Sequence, residues 1–166
     1  MSFTNRISET LHEEHRATIA LMERLEQLVA RHRRSPPDTE DRAVAQLLSD
    51  LAAGVTAEVQ RHFDFEEHQL FSFLDAIGDS AIGAHLTDEH SAMRPLGLRL
   101  SEMARAAAAS GFHEASWAEF RRLAGELCER MLAHIQKEEM ALLPLFEESM
   151  DSETEARLYQ EYVENV

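Results

Sequence analysis

Glycine and proline interrupt this chain at three places, and the long stretches between the breaks constrain its fold most. The 166 residues contain six glycines and four prolines. The breaks are RRSPPDTED (33–41), AIGDSA (76–81) and ASGFHEAS (109–116). Between them Ala, Leu, Glu, Arg and Met predominate, which favours helix. The pattern predicts long helices over about 4–34, 39–77, 80–109 and 115–149, and a short fifth helix over about 152–163.

Long helices joined by short connections predict an all-α fold. The expected architecture is an up-down-up-down antiparallel four-helix bundle with a short C-terminal fifth helix. Nothing marks a second domain, so residues 1–166 are expected to form a single one. Pro95 is expected to kink the third helix, and Pro144 to kink or end the fourth near its last turn.

Each long helix has an apolar stripe, and histidine interrupts every stripe. Glutamate also interrupts the stripes of the second and fourth helices. It lies four residues after a histidine in HFDFEEHQLF (62–71) and in HIQKEEMALL (134–143). Counting from the predicted helix ends places these groups within about one turn of a common height in an antiparallel bundle. The six residues are His15, His62, Glu66, His90, His134 and Glu138.

Carboxylates in an apolar core are costly unless they are paired or coordinated. No stripe has a basic residue near this layer, so imidazoles are the available partners. Four imidazoles and two carboxylates form a ligand set for divalent or trivalent first-row metals, and two glutamates can bridge two ions. The alternative is that each core histidine forms its own hydrogen bonds without a metal, and that the glutamates extend their carboxylates to water.

Further residues lie beside the stripes. His85, with Glu89 four residues later, is a candidate fifth imidazole. Glu67 and Glu139 are offset by one residue and are expected to be solvated or to support the ligands from outside. The segments around Glu66 and Glu138 align at an offset of 72, which suggests two similar helix pairs, each supplying half of a metal site.

The charge balance narrows the classes of function. With 16 basic and 31 acidic residues the net charge is −15, which argues against binding nucleic acid or an anionic membrane. One cysteine allows no internal disulfide. Neither a signal peptide nor an apolar run long enough to span a bilayer is apparent, so the expected location is the cytoplasm.

The sequence resembles the hemerythrin-like (HHE cation-binding) family from LHEEHRATIALMERL (11–25) to HIQKEEMALLPLFEE (134–148). The resemblance implies a four-helix bundle with a non-haem di-iron centre, Fe²⁺ or Fe³⁺, bridged by two carboxylates and an oxo or hydroxo group. Another divalent metal is an alternative. The implied ligands are the six residues that interrupt the stripes.

The sequence departs from oxygen-carrying hemerythrins, which supply five histidines. Position 86 is Leu and position 94 is Arg, so His90 has no partner histidine four residues away. One iron is therefore expected to keep an open position or to recruit His85 or Glu89. Ferritin-like di-iron enzymes need Glu-x-x-His on two helices, and only Glu9–His12 fits that spacing.

Three functions are considered. The favoured one is binding or sensing of O₂, NO or peroxide, so that the expected partner is a small gaseous or peroxide ligand. The alternatives are an oxidoreductase that turns over peroxide or NO, and an iron-handling or regulatory protein whose fold reports metal occupancy. No residue is assigned a catalytic role, and the oligomeric state is left open.

Overall fold

The computed structural model describes residues 2–165, and the regular elements within that range are all helical. They are α1 (Arg6–Arg31), α2 (42–76), α3 (Ser80–Ser110), α4 (114–149) and α5 (Ser152–Glu164). The all-α prediction is confirmed, and each predicted helix end lies within three residues of the observed one.

Side chains that cap the first turn explain where four of the five helices begin. Asn5 accepts hydrogen bonds from the first-turn amides of α1, and Asp41 does the same for α2. His113 forms a capping box at the start of α4, and Asp151 caps α5. Gly111 ends α3 with a φ of 77°, a conformation that glycine adopts without steric cost.

Helices α2 and α4 are not regular throughout. Helix α2 consists of α-helical Arg42–Ala57, Phe63–Phe65 and Phe71–Ala76, separated by π-helical turns at Glu58–His62 and Glu66–Leu70. Helix α4 consists of Glu114–Lys137 and Leu143–Ser149, separated by a π-helical turn at Glu138–Leu142. Single π-helical turns within α-helices are frequent at functional sites.

The two prolines within the helices differ in whether a helical irregularity lies next to them. Pro144 is the second residue after the π-helical turn of α4, and its missing N–H removes an α-helical hydrogen bond to Met140. Pro95 lies inside α3, which continues without interruption to Ser110.

The helices form a bundle in which α1 packs against α2, α4 and α5, and α3 packs against α2 and α4. Paired contacts show that α1 and α4 run in opposite directions: Thr4 meets Glu147, His15 meets Glu138, Met22 meets Cys128 and His32 meets Trp117. Gly97 lets α3 approach α2 closely. A Cβ atom at this position would lie 2.8 Å from Val59 Cγ1 and 2.9 Å from Val55 Cγ1.

The apolar core is divided into two clusters. The larger contains residues such as Met22, Leu51 and Phe120, and the smaller contains Leu11 and Phe146. Between them lies a layer of buried histidine and glutamate side chains. Among residues 2–165, no helix is long and apolar enough to cross a membrane.

Candidate metal centre

Six buried polar side chains meet in the layer between the two apolar clusters. They come from the four long helices, are each at most 5% exposed, and are His15, His62, Glu66, His90, His134 and Glu138. Their donor atoms form two overlapping groups. One group is His15, His62, Glu66 and Glu138, and the other is Glu66, His90, His134 and Glu138. The structure thus brings together the six residues that the sequence singled out.

Glu66 and Glu138 belong to both groups because each side chain directs one carboxylate oxygen at the first group and the other oxygen at the second group. Glu66 Oε1 lies 2.6 Å from His62 Nε2, and Glu66 Oε2 lies 3.1 Å from His90 Nε2. Glu138 Oε2 lies 2.7 Å from His15 Nε2, and Glu138 Oε1 lies 2.8 Å from His134 Nε2. Two carboxylates placed in this way could each supply one oxygen to each of two ions.

The positions of the inward-facing nitrogen and oxygen atoms suit coordination of metal ions better than hydrogen bonding between these atoms. Although these atoms lie 2.6–3.1 Å from one another, the contacts of His15 Nε2, His62 Nε2 and the carboxylate oxygens of Glu66 and Glu138 within residues 2–165 do not have hydrogen-bond geometry. Such orphaned buried polar groups are rare and costly. First-row ions hold N and O ligands at about 2.0–2.2 Å, so ligands at right angles stand about 3 Å apart. The observed separations are close to that value.

A second set of carboxylates orients the histidines from outside. Each imidazole turns Nε2 inward and has a glutamate oxygen at Nδ1. The distances are 2.6 Å for His15–Glu139, 2.5 Å for His62–Glu14, 2.9 Å for His90–Glu67 and 3.2 Å for His134–Glu89. Metal-binding histidines usually have such a partner, which fixes the ring and its tautomer.

These outer glutamates have their own partners. Arg94 donates to Glu67 at 3.0 Å, Lys137 donates to Glu89 at 2.6 Å, and His12 lies 2.8 Å from Glu139. Glu14 receives hydrogen bonds from Arg61 and from Tyr162 of α5. The position of every imidazole is therefore fixed through two layers of contacts.

The proposed additional ligands do not enter the cluster. The side chain of His85 is 59% exposed, and its Nε2 lies 3.3 Å from Lys137 Nζ. Its position, one residue from the stripe, points it outward. Glu89 instead contacts His134 Nδ1 from outside. Two glutamates near the site, Glu14 and Glu58, were not anticipated.

Comparison with known families agrees with this geometry. A family model for the hemerythrin HHE cation-binding domain matches the chain over residues 6–97 and again over 81–164. The chain belongs to this family. A search of curated proteins found no match to it.

Without a metal, protons balance the carboxylates of this HHE domain. Burial by itself lowers the pKa of His15, but Glu138 and Glu139 outweigh it and raise the pKa to about 9. The pKa values of His62 and His134 are also raised by nearby glutamates, against the effect of burial. Burial opposes ionisation of Glu138, yet the two histidines beside it hold its pKa well below the usual range. Binding of metal ions must displace these protons.

The first prediction concerns the metal-free HHE domain at alkaline pH. The pKa of His15 is about 9 in the folded state, against 6.5 for an unperturbed histidine, so its contribution to stability is fully present below pH 6.5. It is lost as the pH rises through 9, at a cost of about 3 kcal/mol. We expect chelated protein to melt ~6–12 °C lower at pH 10 than at pH 6.5.

Thermal unfolding followed by circular dichroism at the two pH values checks this prediction. Metal-loaded protein is the control. Because a metal ion then replaces the proton of His15, the melting temperature should not show the decrease that deprotonation of His15 causes. A chelated protein whose melting temperature rises between pH 6.5 and pH 10 would contradict the assignment.

A second prediction concerns the outer carboxylates. Glu67→Gln and Glu139→Gln keep the side-chain volume but remove the charge beside His90 and His15. We expect each to weaken metal binding by about 10–100-fold, the usual effect of losing such a partner. A competition titration with a chromophoric chelator measures the change. Glu129→Gln, an exposed position on α4, is the matched control and should leave affinity unaltered.

Proposed function

We propose that this HHE domain is a non-haem di-iron protein that binds or senses O₂, NO or peroxide. The observation that carries the proposal is the shared position of Glu66 and Glu138 between two groups of histidines. Paired carboxylate–imidazole ligation suits first-row metals such as iron. We also propose that residues 1–166 form a single domain, with the four long helices in up-down-up-down order and α5 as a short C-terminal addition.

The residues divide into three roles. The four Nε2 atoms and the two shared carboxylates bind the ions, and a bound iron pair supplies Lewis-acid and redox chemistry. The outer glutamates hold each imidazole with Nε2 facing inward. Phe63 stacks on His90 with ring centroids 3.8 Å apart, so one side of the site is apolar and limits access of water.

Reconstitution with ferrous iron tests the proposal. The chelated protein is loaded anaerobically, its iron content is measured, and air or NO is then admitted. We expect two irons per chain and, after exposure to air, near-ultraviolet absorption from an oxo-bridged ferric pair. Uptake of two irons without any spectral response to O₂, NO or peroxide would contradict a binding or sensing role.

One observation favours an oxidoreductase as the second candidate. Each of the two groups has four protein donors, and two of the four are shared with the other group. Four protein donors leave room on an ion for a reacting molecule. Peroxide decomposition by the loaded protein at a rate no faster than that of free iron would exclude the peroxide-consuming form of this alternative.

The buried unsatisfied atoms favour the third candidate, a protein whose fold reports metal occupancy. Metal binding to such a site stabilises the folded state. Partial proteolysis with and without iron distinguishes this function, since a reporter of occupancy should become protease-sensitive when iron is removed. Equal digestion of both forms would count against it.

A further inference from the structure

Tyr162 connects the short C-terminal helix α5 to the metal centre. Its hydroxyl donates a hydrogen bond to Glu14 and accepts one from Arg61 at 2.6 Å. Glu14 Oε2 in turn lies 2.5 Å from Nδ1 of His62, whose Nε2 faces the inner cluster. Two consecutive hydrogen bonds therefore join a side chain of α5 to one of the four inner imidazoles.

The connection to α5 involves only one of these imidazoles. The outer glutamates beside the other three are supported from within the four long helices, by Arg94 of α3, Lys137 of α4 and His12 of α1. Among residues 2–165, Glu14 is the one outer glutamate that forms a hydrogen bond to α5. A change at His62 is therefore the change in the metal centre that reaches α5 most directly.

Helix α5 is held to the bundle by few buried side chains. It has 13 residues, a length at which a helix is marginal in isolation, and Leu158 is the buried residue that it contributes. Near its start, Glu155 pairs with Arg6 at 2.8 Å, and the guanidinium carbon of Arg6 lies 4.3 Å from the centroid of the Tyr159 ring. Segments with so few buried contacts open locally at low cost.

The C-terminal half of α5 depends on Tyr162. Its ring packs edge-on against Phe65, with ring centroids 5.2 Å apart. Burial and the hydrogen bond with Glu14 raise the pKa of Tyr162 to about 12, so its hydroxyl keeps the proton that it donates to Glu14 at neutral pH. The hydrogen bond to Glu14 thus fixes this half of α5 to the support of His62.

We propose that Tyr162 is a positioning residue for His62, acting through Glu14, and that α5 is the element of the fold that responds to metal occupancy. The inference rests on the proposed paired metal site and specifies how that site is regulated. An ion at Nε2 fixes the His62 ring, so that Nδ1–H keeps pointing at Glu14. Without an ion, the contacts of His62 Nε2 within residues 2–165 lack hydrogen-bond geometry, so the ring and Glu14 are less restrained. Glu14 then gives Tyr162 less support.

The coupling acts in both directions. If metal binding stabilises the docked position of α5, docking of α5 must strengthen metal binding by the same factor. Metal-free protein should therefore release α5 more often, which uncovers the part of the smaller apolar cluster beneath Leu158 and Tyr162, including Phe65. Exposed apolar surface is a common mark of protein–protein recognition, so release of α5 gives a partner protein a way to detect the metal-free state.

A second tyrosine in α5 provides the matched control. Tyr159 lies one turn before Tyr162, and its ring packs against Arg6, more than two turns before His15 in α1. Tyr159→Phe and Tyr162→Phe each remove one hydroxyl and keep the ring, but only the second removes the hydrogen bond to Glu14. A difference between the two variants thus reports the connection to His62 rather than a loss of polarity from α5.

The test is hydrogen–deuterium exchange of the full chain, with mass spectrometry of peptides that cover α5. The protein is compared with chelator and with ferrous iron under anaerobic conditions. We expect iron to slow exchange in α5 of the unaltered protein by at least about fivefold. Peptides of α3, measured in the same samples, report how far iron stabilises the whole fold.

Tyr162→Phe should lose most of the effect of iron on α5 while keeping the effect on α3. A merely structural role of Tyr162 would instead speed exchange in α5 equally with and without iron. Because the coupling is reciprocal, competition with a chromophoric chelator should show iron binding to Tyr162→Phe at least about fivefold weaker. Tyr159→Phe should match the unaltered protein in both measurements.

Several outcomes would overturn the proposal. Two irons held per chain, with α5 exchanging at the same rate in metal-free and metal-loaded protein, would exclude α5 as the responsive element and leave the metal site intact. An equal effect of iron on Tyr162→Phe and on the unaltered protein, or an equal loss in Tyr159→Phe, would exclude Tyr162 as the connection. Failure of the unaltered protein to hold two irons would overturn both this inference and the proposed function.

Discussion

Replacing Glu138 or Glu66 by glutamine is expected to abolish paired metal binding. Each carboxylate directs one oxygen to each group of histidines, and glutamine offers a single neutral oxygen. Loss of an outer partner typically weakens binding about 10–100-fold, so loss of a shared ligand should cost at least about 100-fold. Elemental analysis after gel filtration should fall from two irons per chain to one or none.

The matched control is Glu148→Gln, an exposed position further along α4. It should retain two irons per chain. Circular dichroism of each chelated variant separates loss of ligation from loss of the fold. Retention of two tightly bound irons by both Glu66→Gln and Glu138→Gln would contradict the bridging role.

Removal of the metal is expected to lower the melting temperature substantially. The six inner side chains then rely on protons for charge balance, and several of their polar atoms have no hydrogen-bond partner within residues 2–165. A ligand at about 1,000 times its Kd stabilises the folded state by about 4 kcal/mol per site. In a domain of this size that corresponds to ~8–16 °C for one ion. Differential scanning calorimetry with and without chelator measures the difference.

The double variant Glu66→Gln/Glu138→Gln provides the comparison for this experiment. Because it lacks both shared ligands, chelator should change its melting temperature little. Equal melting temperatures of the metal-loaded and metal-free unaltered protein would show that the buried polar layer does not depend on a cation.

Much of the fold and the inner cluster could be predicted because both depend on periodicity. Glycine and proline mark the helix breaks, and caps such as Asn5 and Asp41 move the ends by only a few residues. A histidine or glutamate within an apolar stripe must face the core. His15 and Glu138 were therefore identifiable from spacing alone, and counting along antiparallel helices placed them at one height.

The residues that escaped prediction lie outside that regularity. Glu14 sits on the flank of α1 next to the exposed Glu13, and nothing in the local sequence distinguishes the two until α2 and α5 pack against Glu14. Glu58 lies four residues before His62, a spacing that places both on one helix face, but it is offset by one residue from Val59 of the apolar stripe and was passed over for that reason. His85, one residue off the stripe, faces solvent and does not supply a fifth imidazole.

The measurement that tests the central claim most directly is iron analysis with Mössbauer spectroscopy on protein purified from its native host. Ligation by the two groups that share Glu66 and Glu138 predicts two irons per chain, with the spectrum of a bridged pair. Iron well below one per chain, or a spectrum of isolated ions that is unaltered in Glu66→Gln and Glu138→Gln, would contradict the claim.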